Sequence, residues 1–296
     1  MQNTTKVSIG MPVYNGVSFI REALDSLLGQ TFQDFELIIS DNASTDGTAE
    51  ICQEYAKEDS RIIYTRQTTN IGAASNFDFV LDQAAGEYFM WAAHDDVWSR
   101  NFIEALLEIV EHQEAIAFGW SIKTNEYLLP IKMPISHNYI GSRLFRCFKF
   151  YIRDDNGKGD PTYGLIKKSM ISSPTFTSYP NITYGPDYIH LFKLLQRMEI
   201  IHQPKCWMIK RGSYIGIRGK SASNLNLVIA YFTNIFSPIS RDRLNHALHH
   251  ITILETNIEK VLFMFLIPVK IIYQISHGCF GETKYAIRVI KSRSLS

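Results

Sequence analysis

Short apolar runs alternate with amphipathic stretches along the first 122 residues. Buried strands are predicted where β-branched and aromatic residues cluster, at KVSIGMPVY (6–14), FELIIS (35–40), RIIYTR (61–66), EYFMWAA (87–93) and AIAFGWSI (115–122). Between them, apolar residues recur at helical spacing in 17–30, 48–58, 74–86 and 101–113. Alternating strands and helices predict an α/β protein with a mostly parallel central sheet flanked by helices, because parallel neighbours need a crossover connection.

The alternation weakens after residue 122. Gly, Asp and Pro make 153–164 typical of a loop, and 185–198 predicts a helix with Pro186 and Asp187 in its first turn. A basic, glycine-rich loop is predicted over 211–223, and the region 225–296 is predicted to be helical with a basic end.

Polar clusters follow the predicted strands at the points where the strands end. They are Asn15 after the first strand, Asp41, Asn42, Ser44, Thr45 and Asp46 after the second, Thr69, Asn70 and Gly72 after the third, and His94, Asp95 and Asp96 after the fourth. Each cluster could by itself cap a helix or a turn. Because the carboxyl ends of parallel strands meet at the edge where such sheets bind ligands, the recurrence favours a ligand site.

Composition and charge exclude several classes. With 296 residues, 46% hydrophobic and 20% charged, the chain is typical of a globular protein, and its net charge of +1 gives no support for a nucleic-acid partner. The four cysteines are widely spaced, which argues against a zinc ribbon or a disulfide framework and fits a reducing compartment. Neither a signal peptide nor an apolar run of ~18 residues is found, so we expect a cytoplasmic protein.

Four segments together resemble the family 2 glycosyltransferases. They are VSIGMPVYNG (7–16), QTFQDFELIISDNASTDGT (30–48), NIGAASNFDFVLDQAAGEY (70–88) and HDDVW (94–98), and GPDYIHLFKLL (185–195) adds a weaker match. The resemblance implies a GT-A fold with a helical C-terminal extension. It also implies an enzyme that moves a sugar from a nucleotide donor, usually with inversion. The expected catalytic domain is 1–224, with a donor half (1–122) and an acceptor half (123–224), followed by a helical region (225–296).

A nucleotide-sugar donor brings a base, a ribose and a diphosphate to the site. We expect Pro12, Tyr14 and Asn15 in the first turn to line the base and ribose. Asp41 can accept a hydrogen bond from the imide of uracil or thymine, which favours a UDP- or dTDP-sugar, or it can form an Asx turn. The further residues expected to contribute to this substrate site are Asn42, Asn70 and Gly72.

The family holds a divalent cation with an Asp-x-Asp motif at the end of its fourth strand. Aligned on DDVW, the second Asp is Asp95, whereas the first position is Ala93, which cannot bind a cation. One carboxylate can suffice for Mg²⁺ or Mn²⁺ when phosphate oxygens complete the coordination, and the cation offsets the charge of the leaving diphosphate. We expect His94 to be a hydrogen-bond partner in the site, and Asp96 to contact the acceptor or cap the next helix.

Inverting transfer also needs a general base for the acceptor hydroxyl. The resemblance assigns this role to Asp187, whose alternative is a first-turn residue favoured by the helix dipole. Asp154, Asp155 and Asp160 are competitors for the role. Two further residues, Arg211 and Arg218, lie in the basic loop, which could close over the diphosphate or be a solvated turn.

The apolar segment VLFMFLIPVKII (261–272) precedes a basic tail. It is either a core helix broken at Pro268 or an interfacial segment on anionic lipid. Many family members act on lipid-linked saccharides, so the resemblance implies a saccharide or polyprenyl-linked acceptor in surface polysaccharide synthesis, with peripheral contact at the inner face of the cell membrane as an option. The alternatives are a degenerate nucleotide-sugar-binding protein, suggested by Ala93, and a nucleotidyltransferase.

Overall fold

The computed structural model describes residues 5–124, 136–152, 157–178, 186–211, 254 and 256–266. The chain divides into two units, one formed by 1–146 with 157–214 and the other by 147–156 with 215–296. Both β-sheets belong to the first unit. Several predicted features, namely Asp154, Asp155, Arg218, most of the loop 211–223 and the basic tail, lie outside the described residues.

A five-stranded sheet in the order β3-β2-β1-β4-β7 organises the first unit. β1 (Val7–Val13) pairs in parallel with β2 (Phe35–Asp41) and with β4 (Tyr88–Trp91). On the outside, β3 (Ile62–Arg66) pairs in parallel with β2, and the short β7 (Ile166–Lys167) joins β4 antiparallel. Every residue of β1 and β2 is buried, as is typical of a parallel sheet covered on both faces. The predicted α/β class is confirmed.

The connecting helices coincide with the predicted amphipathic stretches. They are α1 (Ile20–Leu28), α2 (Thr48–Glu58), α3 (Ala73–Asp82) and α4 (Phe102–Val110). α1 buries Ile20, Ala23, Leu24 and Leu27, which share one face because they are spaced by three and four residues.

A second sheet, in the order β5-β8-β6, holds the fifth predicted strand. This strand, β6 (Ala115–Thr124), does not continue the main sheet but pairs in parallel with β8 (Glu199–Arg211), and β5 (Val97–Trp98) joins β8 antiparallel. The sequence reading missed β8. Its Pro204 suggests a broken strand, but the proline falls in the irregularity where the register shifts between Phe118 and Trp120.

The remaining described elements are α5 (Arg143–Ile152), a 3₁₀ helix at Asp160–Tyr163, another at Lys168–Met170, α6 (Pro186–Leu195) and α7 (Asn257–Phe265). α6 begins at Pro186, where the sequence predicts a helix. α7 is the described part of the C-terminal region and begins with a capping box between Thr256 and Glu259. Within the described ranges, no helix has both the length and the apolar character to cross a bilayer.

The buried carboxylate of Asp78 on α3 holds the segment 172–178. One oxygen accepts hydrogen bonds from the backbone N–H groups of Thr175 and Phe176, both at 2.8 Å. The other accepts from the backbone N–H and hydroxyl of Thr177, at 2.9 and 2.6 Å. Phe176 then packs edge-on against Trp91 of β4, with ring centroids 5.3 Å apart. Asp78 therefore fixes residues 175–177 beside the sheet, and Asp82 adds a hydrogen bond from Ser173 in the same loop.

We expect Asp78→Ala to lower the free energy of unfolding by about 3 kcal/mol, because several buried donors lose a charged acceptor. Asp34→Ala removes an exposed carboxylate and is the matched control, with an expected change below about 0.5 kcal/mol. Urea unfolding measures both variants. A loss for Asp78→Ala that is no larger than the control's contradicts the anchoring role.

Candidate active site

A cleft of about 320 Å³ opens at the carboxyl edge of the main sheet. Its walls come from the end of β1, from the residues that follow β1, β2, β3 and β4, from the start of α3, and from the first 3₁₀ helix. They are Pro12, Val13, Tyr14, Asn42, Asn70, Ala73, Asn76, Phe77, Ala93, His94, Asp95 and Tyr163. The cleft therefore lies at the edge where the polar clusters of the sequence are expected to meet.

The end of β1 contributes Pro12 to the wall, and the turn after it contributes Tyr14. Tyr14 is 46% exposed, so its ring is available for a planar ligand. Asn15, with φ of 51°, is exposed and does not line the cleft. Its side-chain oxygen accepts from the Thr45 N–H and its own N–H donates to the Ser44 hydroxyl, both at 2.9 Å. Asn15 thus ties the first turn to the loop after β2.

Asp41 ends β2 and is fully buried, so it does not line the cleft. One carboxylate oxygen accepts from the Ser44 N–H at 2.9 Å, and the other accepts from the Tyr64 hydroxyl at 3.1 Å. Of the two roles weighed for Asp41, the structure shows the Asx-type turn. Asp41 does not face the cleft here, and its predicted contact with a nucleotide base stays a prediction.

Asn42 and Asn70 line the cleft and shape the loop before α3. The Asn42 oxygen accepts from the Ile71 N–H at 2.8 Å, and its amide donates to the Asn70 oxygen at 3.0 Å. The same Asn70 oxygen accepts from the Gly72 N–H at 2.9 Å. Gly72 has φ of 85°, a left-handed conformation that glycine adopts without strain, and it stands outside the cleft wall.

His94 and Asp95 line the cleft, whereas Asp96 turns away from it. The His94 ring packs against Gly16, where an added Cβ would lie 2.5 Å from His94 Cδ2. Burial lowers the pKa of His94 although Asp95 and Asp46 oppose that shift, so the ring is neutral and can accept a hydrogen bond at neutral pH. His94 thus contributes a neutral imidazole to the cleft wall.

Asp96 corrects a prediction. It is 1% exposed, and one oxygen accepts from the Arg211 N–H at 3.1 Å. The other oxygen has no hydrogen-bond partner among the described residues. Burial, reinforced by Asp95, raises the pKa of Asp96 well above its usual range. The residue therefore neither faces an acceptor nor caps α4, but bonds to the end of β8.

Arg211 also differs from the prediction, because it ends β8 instead of belonging to an open loop. Its guanidinium donates to the backbone oxygen of Asp95 at 3.2 Å, forms an ion pair with Glu22 of α1 and lies 4.7 Å from the Phe19 ring centroid. With its side chain 4% exposed, Arg211 supports the Asp95 backbone from behind the cleft.

The donor set suits a cation that arrives with a phosphate ligand. Asp95 is the single carboxylate among the cleft-lining residues, and Ala93 lines the cleft at the other motif position. In the part of the chain that the structure describes, no three His, Cys, Asp or Glu side chains form a metal-binding group. One carboxylate fits Mg²⁺ or Mn²⁺ when water and phosphate oxygens supply the remaining ligands.

Asp187 lies in the first turn of α6 and is partly buried. An added Cβ at Gly159 would lie 1.9 Å from Asp187 Oδ2, so this carboxylate rests directly on the Gly159 backbone. Burial raises the pKa of Asp187, and the ammonium of Lys210 opposes the shift. A carboxylate with a raised pKa is suited to proton transfer nearer neutral pH.

Asp160, a competitor for the same role, is 1% exposed. Its oxygens accept from Lys210 Nζ at 3.0 Å and from the Ser121 hydroxyl at 2.8 Å. Although burial by itself would raise the pKa of Asp160, Lys210 and its other polar neighbours hold it well below the usual range. Asp160 is therefore a permanent anion inside the protein and is not available to an acceptor hydroxyl.

Sequence reasoning missed Tyr163, Gly159 and Lys210. Tyr163 lines the cleft, and Lys210 Nζ lies 4.7 Å from its ring centroid. These residues lie in segments where the periodicity fades, and no motif marks them. The one local signal is that Gly159 and Asp160 stand together in a polar, glycine-containing stretch.

The sequence matches the family described as Glycosyl transferase family 2 over residues 8–171. The glycosyltransferase GlyG of Streptococcus pneumoniae is 33% identical over 220 residues, which cover 70% of this chain and 71% of GlyG. GlyA of the same organism is 34% identical over 122 residues, 41% of this chain but 17% of GlyA. TuaG of Bacillus subtilis, named for teichuronic acid biosynthesis, is 36% identical over 122 residues, 40% of this chain and 48% of TuaG.

Solved structures show the same architecture. S. aureus TarS 1–349 superposes with a TM-score of 0.55 at 15% identity, covering 91% of this chain and 89% of TarS. The mannosyltransferase PcManGT from Pyrobaculum calidifontis, solved with GDP-Man and Mn²⁺, gives a TM-score of 0.52 at 13% identity and covers 98% of this chain and 80% of PcManGT. At such low identity these likenesses show the fold alone, which is the GT-A fold.

Proposed function

The chain belongs to glycosyl transferase family 2, and we propose that it transfers a sugar, with inversion, from a UDP- or dTDP-linked donor to a saccharide or lipid-linked saccharide. The observation that carries the proposal is the cleft at the carboxyl edge of the sheet, where Tyr14, Asn42 and Asp95 face the same space. The flat exposed ring suits stacking on the base, and the amide suits hydrogen bonding to the ribose. The carboxylate suits a divalent cation that binds the diphosphate.

The nucleotide occupies the part of the cleft between the turn after β1 and the loop before α3. The exposed ring of Tyr14 stacks on the base, and the side-chain amides of Asn42 and Asn70 line the same part of the cleft as the nucleotide. Structures of TarS with UDP and with UDP-GlcNAc support a uridine donor. dTDP remains in the proposal because uracil and thymine present the same imide edge.

The diphosphate and its divalent cation would bind beside Asp95, which lines the cleft. When bound, Mg²⁺ or Mn²⁺ offsets the negative charge that develops on the leaving diphosphate. Asp95 would hold the cation, and Arg211 keeps the Asp95 backbone in place through the hydrogen bond to its carbonyl. The Mn²⁺ in the PcManGT structure supports this proposal.

Asp187 takes the proton of the acceptor hydroxyl as that oxygen attacks the anomeric carbon. Attack on the face opposite the leaving group inverts the configuration, so one base and no covalent intermediate are needed. The burial that raises the pKa of Asp187 favours proton acceptance, because a more basic carboxylate binds the proton more tightly.

We also propose the domain organisation given above, with the catalytic domain over 1–224 and a C-terminal region, 225–296, that contacts the inner face of the cell membrane. TuaG, named for teichuronic acid biosynthesis, supports a saccharide acceptor in surface polysaccharide synthesis, either free or carried on a polyprenyl lipid. The exposed apolar side chains of Leu262, Met264 and Phe265 on α7 are compatible with an interfacial segment.

Calorimetric titration with UDP, dTDP and GDP tests the donor class. We expect UDP and dTDP to bind at least about tenfold more tightly than GDP. We also expect Mn²⁺ or Mg²⁺ to strengthen the binding and EDTA to reverse that gain, because Asp95 would hold a cation that the diphosphate oxygens also bind. Equal affinity for GDP would show that the donor class is wrong, and no binding of any of the three would overturn the nucleotide-sugar proposal.

A further inference from the structure

Lys210 places a positive charge among buried acidic groups next to the cleft. Its Nζ lies 3.0 Å from Asp160 Oδ1 and 4.7 Å from the Tyr163 ring centroid. Burial by itself would lower the pKa of Lys210, but the phenol of Tyr163 and the carboxyl groups of Asp160 and Asp96 raise it. The lysine is therefore charged at every pH at which the protein works.

Lys210 and Arg211 end β8 and point to opposite faces of the strand, as consecutive strand residues do. Arg211 reaches Glu22 and the backbone of Asp95 on one face. Lys210 reaches Asp160 on the other. The end of β8 thus supports the Asp95 backbone through Arg211 and the Asp160 carboxylate through Lys210.

Gly159 connects the Asp160 anchor to Asp187. The added Cβ that would lie 1.9 Å from Asp187 Oδ2 would also lie 2.7 Å from Tyr188 Cε1. Gly159 has φ of −83°, a backbone conformation that any residue adopts. Glycine is required because a side chain at this position would collide with Asp187 and Tyr188. Ser121, Lys123 and His137 contact Asp160 Oδ2 at 2.8, 4.0 and 3.9 Å, while Lys210 contacts Oδ1 at 3.0 Å. Because Gly159 directly precedes Asp160, the contact with Lys210 contributes to holding the surface on which the Asp187 carboxylate rests.

The charged and titratable groups around Asp187 come from several elements. Lys210 lies on β8, and Asp160 and Tyr163 on the 3₁₀ helix, while Lys158 lies 5.9 Å from the ring centroid of the neighbouring Tyr188. Burial and Asp160 raise the pKa of Asp187, and Lys210 lowers it. Without Lys210, the carboxyl would hold its proton to a higher pH and could not accept another.

We propose that Lys210 is a positioning residue for Asp187: it helps to hold Asp160, and through the adjoining Gly159 it fixes the backbone on which the Asp187 carboxylate rests. The functional consequence rests on the proposed role of Asp187 as the proton acceptor. The effect of Lys210 on the titration of Asp187 does not depend on that role. The titration and the catalytic consequence can therefore be measured separately.

The first measurement is independent of activity. Carbon-13 NMR of the full chain labelled at the aspartate carboxyls follows the titration of Asp187, whose signal is identified by its absence in Asp187→Asn. We expect Lys210→Met to raise the apparent pKa of Asp187 by about 1 or more, a proton affinity about tenfold higher. Lys210→Gln, which keeps a hydrogen-bond donor to Asp160 without the charge, provides a second variant with the same expected direction.

Lys205→Met is the matched control, because Lys205 lies on the same strand and forms a surface ion pair with Glu108 at 2.7 Å. We expect it to leave the titration of Asp187 unchanged, and Lys210→Arg to restore most of the wild-type value. If the titration of Asp187 is the same in Lys210→Gln and Lys205→Met, the proposal is overturned.

The second measurement is the pH dependence of UDP release from UDP-GlcNAc. In Lys210→Met the rise of the rate with pH should move to higher pH, while the KM for the donor stays within about twofold and the rate recovers at alkaline pH. An equal loss of rate at every pH would indicate a merely structural role and overturn the proposal. An Asp187→Asn variant with full activity would instead refute the assigned base, and the NMR titration would still decide the role of Lys210.

Discussion

Asp187→Asn is expected to lower the rate of sugar transfer by about 10²–10⁴-fold, the range that loss of a general base produces. Asparagine has nearly the same shape as aspartate, so it fills the same space above Gly159, but its amide cannot take a proton at neutral pH. The position does not line the cleft in which the nucleotide is proposed to bind. The affinity for UDP should therefore stay within about twofold of the wild type.

The same variant should change the pH profile. Asp187 acts as a base only when it is ionised, so the wild-type rate rises with pH through the pKa of Asp187, which burial places above the usual value for aspartate. In Asp187→Asn this acid limb should disappear. Asp34→Asn, at an exposed carboxylate, controls for the change of net charge. A rate for Asp187→Asn within about threefold of the wild type would exclude Asp187 as the base.

Asp95→Ala is expected to abolish the dependence of UDP binding on Mg²⁺ or Mn²⁺ and to lower the transfer rate by about 10²–10³-fold, since a cation at the leaving group contributes several kcal/mol. The effect should come from the side chain alone. Arg211 donates to the backbone carbonyl of Asp95, which alanine retains, so the loop before β5 keeps its support. Titration of UDP with the metal ion and with EDTA measures the first effect.

Wild-type protein in EDTA is the matched comparison, because it removes the cation and leaves the carboxylate. It should bind UDP as Asp95→Ala does. If the metal ion still strengthens UDP binding to Asp95→Ala, then Asp95 is not the ligand and the single-carboxylate site is refuted.

Tyr14→Ala should weaken UDP binding with and without metal, because its contact with the base does not involve the cation.

In the first half of the chain, the spacing of apolar residues correctly predicted the helices and strands that bury at least one face. The spacing of Ile20, Ala23 and Leu24 predicts α1, and the continuous burial of β1 follows from its apolar sequence. The same reasoning failed for β8. Its alternation is interrupted at Pro204, and its pairing partners lie far away in the sequence, so local periodicity carries no sign of the strand.

The candidate site divides in the same way. The sequence places His94 and Asp95 at a strand end, and both line the cleft. It gives equal prominence to Asp41 and Asp96, which are buried and hydrogen-bonded within the protein. A strand end identifies which residues reach the edge of the sheet. It does not specify which carboxylates face solvent and which face the interior.

By itself, the sequence determined the α/β class, the helices and strands of the first half, and the edge of the sheet where the polar residues gather. These follow from periodicities that extend over a few neighbouring residues. Tertiary structure alone decided that Arg211 bonds to Asp96 across 115 positions and that Lys210 pairs with Asp160 across 50. Such contacts depend on where distant strands end relative to one another, and this is set by the packing of the whole sheet.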